Sequence, residues 1–222
     1  YIINNLKLFN DNNNFEIKNL KINENFKVTN FDKIEAEYFN KNEFLNNFSI
    51  KKNNDKINFI SESFDISSHI EKSLKGTKKN NFFDIFANLN SSLEINIKLA
   101  KLDNEHNFNN LKGTARIRSN KIDKANFYAR FDDQNVFSYT KNNINGKKIT
   151  TIFSDLAKPF VKKFNFIKGF EDGKLDFTSK QLSKNLSKSE LRIYDFKLQD
   201  MPALTKLLSL ASLQGIADLA TG

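Results

Sequence analysis

The chain has 222 residues, a formal net charge of +9 at pH 7, 23 phenylalanines, seven glycines, two prolines and no cysteine. Without cysteine there is no disulfide framework and no thiolate nucleophile, and no run of about 18 apolar residues offers a membrane-spanning helix. The positive charge is lysine interspersed with Asn and Glu, with guanidinium groups only at Arg116, Arg118, Arg130 and Arg192, and adenine-rich codons explain the Lys and Asn excess as well as function does. No nucleic-acid partner is therefore expected.

The chain starts at Tyr1 with neither an initiator Met nor a signal segment, so it reads as an excerpt of a longer protein forming one β-rich region over 1–222. Residues 1–62 are expected to be strands, with FEIKNLKI (15–22) and KINFI (56–60) showing period-two alternation. A short helix is expected over 63–76, where Ile66, Ile70 and Leu74 recur four apart, Asp65 stands near the start and Gly76 acts as a stop.

A strand meander is expected over 90–153. In SLEINIKLAKL the residues Leu93, Ile95, Ile97 and Leu99 share one side, opposite Glu94, Asn96 and Lys98. GTARIRS (113–119), ANFYARFD (125–132) and KKITTIFS (147–154) repeat the pattern, with Phe127, Ala129 and Phe131 inward and Tyr128 and Arg130 outward. The polar stretch 100–111 reads as a loop, and DDQN (132–135), NNING (142–146) and EDG (171–173) read as turns, with Asn supplying much of the turn chemistry.

A second short helix is expected over 154–166, capped by Ser154 or Asp155 and limited by Pro159. Strands follow over 173–199, including GKLDFTS (173–179) and ELRIYDFKL (190–198). An apolar third helix closes the chain over 201–220, entered through Asp200 with Pro202 in its first turn. Its narrow weakly polar stripe leaves most of the circumference apolar, so it needs burial by protein or lipid.

Catalytic chemistry has no visible carrier. His69 and His106 lie far apart without metal-ligand spacing, Asp132 with Asp133 and Glu171 with Asp172 fall in expected turns, and the glycines are scattered rather than grouped as a phosphate loop. No catalytic residue, metal or cofactor is expected.

The C-terminal run YDFKLQDMPALTKLLSLASLQGIADLATG, with the upstream SDLAKPFVKKFNFIKGFEDGKLDFTSK, resembles the AsmA-like superfamily, and within it the YhdP-type envelope proteins of Gram-negative bacteria. The matching helix positions are Asp200, Pro202, Leu207, Leu208, Ser209, Ala211, Ser212 and Gly215. Asp155 and the segment Gly169 to Gly173 stand where the family has an acidic helix start and a glycine pair, although Asp172-Gly173 replaces the adjacent glycines. The resemblance spans roughly residues 60–222 and is strongest over 190–222.

The resemblance implies an elongated, curved antiparallel sheet forming a gutter, with about three short helices, tethered to the inner membrane by an anchor outside this chain. It implies a periplasmic protein whose apolar face carries phospholipid acyl chains toward the outer membrane, with other envelope proteins as possible partners. The residues expected to line that track are Leu93, Ile95, Ile97, Leu99, Ile117, Phe127, Phe131, Leu175 and Phe177. Alternation alone fits equally well a β-sandwich core, in which a second sheet covers the apolar face. Two other functional readings stand beside the conduit: a purely structural envelope β-protein, and a β-domain binding single-stranded nucleic acid through Lys and exposed aromatic residues.

Overall fold

The computed structural model describes residues 1–68, 89–118, 121–132, 134–161, 170–183 and 186–198. The protein is mainly β, a single wide open sheet of 13 strands with very little helix among the described residues. The first group of strands is β1 (Ile2–Asn10), β2 (Asn13–Ile22), β3 (Val28–Asn30), β4 (Lys33–Phe39), β5 (Leu45–Asn53) and β6 (Lys56–Asp65). The second is β7 (Ser92–Lys101), β8 (Asn107–Arg118), β9 (Lys121–Arg130), β10 (Val136–Ile144), β11 (Lys147–Ser154), β12 (Phe170–Ser183) and β13 (Leu186–Leu198).

Apart from short β3, which pairs only with β2, the strands lie side by side in chain order from β1 to β13. Every neighbouring pair is antiparallel except one, most of them joined by short turns, while β11 and β12 are joined through residues 155–169, which include a short helix. β6 and β7 run parallel, with Phe59 beside Ile95 and Ser61 beside Ile97, because residues 66–91 intervene where a tight turn would otherwise reverse the chain. The sheet is therefore two antiparallel meanders joined along a parallel seam.

Asparagine supplies most of the tight backbone geometry, as the composition suggests. Positive φ occurs at Asn19, Asn54, Asn90, Asn110 and Asn145, and otherwise at Phe26, Glu43, Asp172 and Asp195 among described non-glycine residues. Asn145 (φ 52°) and Gly146 (φ 78°) form the two-residue connection between β10 and β11, the left-handed pair that matches the twist of a hairpin. At the β9–β10 turn, Asp132 Oδ1 accepts hydrogen bonds from the backbone N–H groups of Gln134 (2.8 Å) and Asn135 (2.7 Å).

Several expectations need correction. The polar stretch 100–111 is not a loop: β7 runs to Lys101, β8 starts at Asn107, and buried Phe108 holds the new strand against Ala100. EDG is not a turn, because Asp172 and Gly173 (φ 58° and 80°) form a left-handed kink inside β12, opposite Asp195 (φ 55°) in β13. Ser154 does not cap a helix at its own position. It is the last residue of β11 and pairs with Phe137 and Leu175, so the helix α1 begins only at Lys158 and is described to Val161. Residues 63–65 belong to β6. Asp65 then caps a helical start at Ser67, accepting from its backbone N–H at 2.9 Å. The remainder of both short helices, His69, Asp133, and the C-terminal helix with Asp200, Pro202, Leu207, Leu208, Ser209, Ala211, Ser212 and Gly215 lie outside the described residues.

The core is one continuous cluster on one face of the sheet. Its centre is aromatic: Phe48, Phe59 and Phe64 pack with ring centroids 5.3–5.5 Å apart, stacked or edge to face. Phe108 touches Phe131 (4.9 Å) and Phe137 (4.7 Å), and Phe160 of α1 stacks on Phe137. The opposite face is polar and laced with ion pairs, such as Lys56–Glu94 (2.8 Å) and Lys98–Glu62 (2.7 Å) across the parallel seam.

Candidate functional site

Successive residues in a strand point to opposite faces, so the pairing register fixes which side chains meet across the sheet. Read from β1, the register connects Leu6 to Ile17, Ile34 and Ile50, and then Phe59 to Ile95 across the seam. It continues through Gly113, Phe127, Tyr139, Ile152 and Phe177 to Leu191 on β13. The result is one unbroken transverse file of apolar or glycine positions on twelve strands. At about 4.8 Å per strand it spans on the order of 50 Å.

Two flanking files widen it. One runs from Leu8 through Phe15, Ala36, Phe48, Ser61 and Ile97 to Leu111. The other passes from Ile57 through Leu93, Ala115 and Ala125 to Lys141, Thr150, Ser179 and Ser189. The second file thus changes from apolar to polar where it crosses from β9 to β10.

The file is closed from Ile34 to Ile95 and again at Phe177, and more open between and beyond these stretches. Ile50 is 0% exposed, Phe59 1% and Ile95 5%, whereas Leu6, Ile17, Tyr139, Ile152 and Leu191 are half-buried. Burial pushes the Tyr139 phenol up to about 12, since the ionised oxygen would lose hydration there.

Of the residues singled out by alternation, Ile95, Phe127 and Phe177 fall in the central file, and Leu93 and Ile97 occupy its two neighbours. Leu175 lies beside Ser154 and Ile193, while Ile117 lies near one strand end. Phe131 follows β9 and packs on Phe108. All of these are buried except Phe127, which is half-buried.

Leu99 departs from the expected row. Glu62, Lys98 and Asn110 stand at one level in β6, β7 and β8, where strict alternation breaks. Beyond that level the inward residues are Phe64, Ala100 and Phe108, so Ala100 is fully buried and Leu99 only partly so. Register shifts at Asn47/Phe48 and Asn109/Lys112 absorb the irregularity in the neighbouring strand pairs.

Leu6, Ile17, Ile34, Ile50, Phe59, Gly113, Tyr139, Ile152 and Leu191 complete the file and are not among the expected track residues. The signal was present for Ile34 and Ile50, since KIEAEYF and LNNFSIKKN alternate as clearly as the segments used. It was weak for Tyr139, because VFSYTKNNI carries Lys141 on its inward side.

His106 is held in the β7–β8 turn. Its Nδ1 lies 3.0 Å from Asp103 Oδ1, and the same oxygen accepts from the backbone N–H groups of Glu105 and His106. Among the described residues no group of three or more His, Cys, Asp and Glu side chains is placed to hold a metal, and no helix is long and apolar enough to cross a membrane. Compared with protein-family models, with curated proteins and with solved structures, the chain matches none.

Proposed function

We propose that this chain is a segment of an AsmA-like, YhdP-type envelope protein whose apolar sheet face conducts phospholipid acyl chains between the inner and outer membranes without chemical catalysis. The observation that carries the reading is the file from Leu6 to Leu191. It crosses a single open sheet without interruption by a charged side chain. A β-sandwich would need a second sheet facing this one, and all the described strands belong to the same sheet.

The physical logic is that of a track. Each methylene taken out of water contributes about 0.8 kcal/mol, so an acyl chain of ordinary length gains on the order of 10 kcal/mol on an apolar surface. Because Leu, Ile and Phe repeat from strand to strand, adjacent positions offer similar binding, and a chain can advance without leaving a deep well. In this reading the sheet curves into a gutter, the protein is periplasmic, and an anchor elsewhere in the full protein tethers it to the inner membrane.

A second reading has its own support. The near-complete burial of Ile50, Phe59 and Ile95 is what an ordinary core would show, and it favours a structural envelope protein with the same fold.

Photocrosslinking separates the two. A benzophenone side chain replaces half-buried Leu191 at one end of the file or, as control, exposed Arg192 on the opposite face. Phospholipid attached at 191 and not at 192 in an envelope preparation supports the conduit. Crosslinks at 191 exclusively to protein sink it in favour of the structural reading.

A further inference from the structure

At one end of β8–β11 four neighbouring strands enclose a depression of about 460 Å³, lined by Arg116, Arg118, Asp123, Lys124, Asn143 and Lys148. A bulge builds it. Arg116 pairs with Lys124 and the next residue, Ile117, pairs with Ile122, so Asp123 is the extra residue on β9. Its carboxylate takes two hydrogen bonds from the Arg116 guanidinium, one of them from Nε at 3.0 Å, and one from Asn143 Nδ2 at 3.3 Å. Asp123 thereby fixes the guanidinium plane and is held ionised, the Arg116 hydrogen bonds keeping it below the usual carboxylate range.

Asp123 is the one acid among four cations. Lys124 and Lys148 form no ion pair with a described residue, and Arg118 acts on the Asp123 carboxylate by charge without a direct ion-pair contact. Elsewhere some lysines stand beside an acid, as Lys33 beside Glu35, Lys56 beside Glu94 and Lys98 beside Glu62, while others face a second lysine, as Lys180 faces Lys188 across β12 and β13. Arg116 and Lys124 are also directly opposed across the strand pair, and the Asp123 carboxylate bonds to Arg116 and not to Lys124, so the cluster keeps an excess of positive charge. Exposed Ile122 and Ile144 adjoin these residues in β9 and β10.

We propose that this depression binds a phosphate group, carried by a phospholipid headgroup or by a soluble phosphate. Arg116, whose Nε and Nη2 are engaged by Asp123, offers its remaining N–H groups, Arg118 offers a full guanidinium fork, and Lys124 and Lys148 add point charges, a combination that suits a tetrahedral dianion. The two flanking isoleucines suit a headgroup with attached chains. The proposal stands on charge and register and does not depend on the apolar face carrying lipid.

The test uses the full 222-residue chain. Arg118→Gln/Lys148→Gln removes two charges from the depression, and Lys180→Gln/Lys188→Gln removes two from the β12–β13 pair as a charge-matched control. Lys124→Gln alone, at an exposed position, serves if the double variant fails to fold. Three probes are titrated: inorganic phosphate, phosphatidylcholine vesicles with and without phosphatidate, and a mixed-sequence single-stranded oligonucleotide.

Binding of inorganic phosphate, or of phosphatidate vesicles over phosphatidylcholine alone, should weaken about tenfold in the site variants and less than about twofold in the control. Vesicle binding that inorganic phosphate displaces assigns the site to phosphate itself, and vesicle binding that resists displacement assigns it to the headgroup. Equal losses in site and control variants, no binding of either phosphate probe, or site-dependent binding of the oligonucleotide alone would each overturn the proposal.

Discussion

Gly113 and Phe127 stand directly opposite each other on β8 and β9, and the Phe127 side chain occupies the space that a Cβ on residue 113 would need. The backbone carbonyl oxygen of Asn126 also meets that position. Glycine here lets an aromatic ring lie over the backbone of the neighbouring strand and keeps the apolar file continuous.

Gly113→Ala is therefore expected to destabilise the fold by about 2–3 kcal/mol, since neither the ring nor the carbonyl can yield without disturbing the β8–β9 ladder. A lowered urea midpoint with an unchanged slope is the readout. Because the carbonyl contributes to the clash, adding Phe127→Leu should not restore stability. Full recovery in the double variant would show that the ring alone is responsible.

Phe59 and Ile60 are neighbours on opposite faces, 1% and 54% exposed. Phe59→Ala should cost about 3–5 kcal/mol by removing a ring from the Phe48–Phe64 cluster, whereas Ile60→Ala should stay within about 0.5 kcal/mol. Thermal denaturation of the pair checks this, and similar losses at both positions would contradict the assignment of faces.

Tyr139 gives the alkaline limb of stability a specific source. With its phenol pushed up to about 12 by burial, the protonated form is favoured more in the folded chain than in the unfolded one. The contribution is fully present below about pH 10, the ordinary tyrosine value, and is lost as pH rises toward 12. The loss should be roughly 2–3 kcal/mol. Tyr139→Phe should flatten this part of the profile, and an unchanged alkaline slope would place its origin elsewhere.

Asp103 acts on the acid side. Burial pushes its carboxyl up, but the hydrogen bonds from the backbone of Glu105 and from His106 outweigh that and leave it below the ordinary aspartate value. Its stabilisation is present above about pH 4 and is lost as pH falls through the lowered value. Asp103→Asn should be less stable than the parent at neutral pH, with the gap closing in acid. A gap independent of pH would mean that shape and not charge holds the turn.

Period-two alternation is a local property, and the parts of the fold that depend on it were legible. KKITTIFS coincides with β11, and the inward assignment of Ile95, Ile97 and Ala129 agrees with their burial. Alternation carries no information about strand direction, so the parallel seam between Phe59 and Ile95 left no mark in the sequence. Nor does it separate a kink from a turn: Asp172-Gly173 has turn chemistry, because both structures need positive φ. The same limit explains Leu99, whose place in the row was lost to an irregularity at Lys98 shared with two neighbouring strands. Arg116, Asp123, Asn143 and Lys148 are far apart in sequence, and the register of four strands brings them to one depression.

The parallel seam also dictates how the sheet comes together in time. Most other neighbouring strands can close from a hairpin outward, as Ile144 with Lys147 and Asn53 with Lys56 begin their ladders a few residues apart, and even β11 and β12 pair first at Ser154 with Leu175, 21 residues on. At the seam each residue of β6 meets one 36 positions later, as Lys56 meets Ser92, so no short loop nucleates the pairing. Closing that span carries more chain entropy than any hairpin, and long-range pairing of this kind slows folding. Two meanders that zip locally and then dock along β6 and β7 follow from the topology. Weakening Phe59 or Ile95 should then slow the docking step, while loosening the Asn145-Gly146 hairpin should act mainly within the second meander.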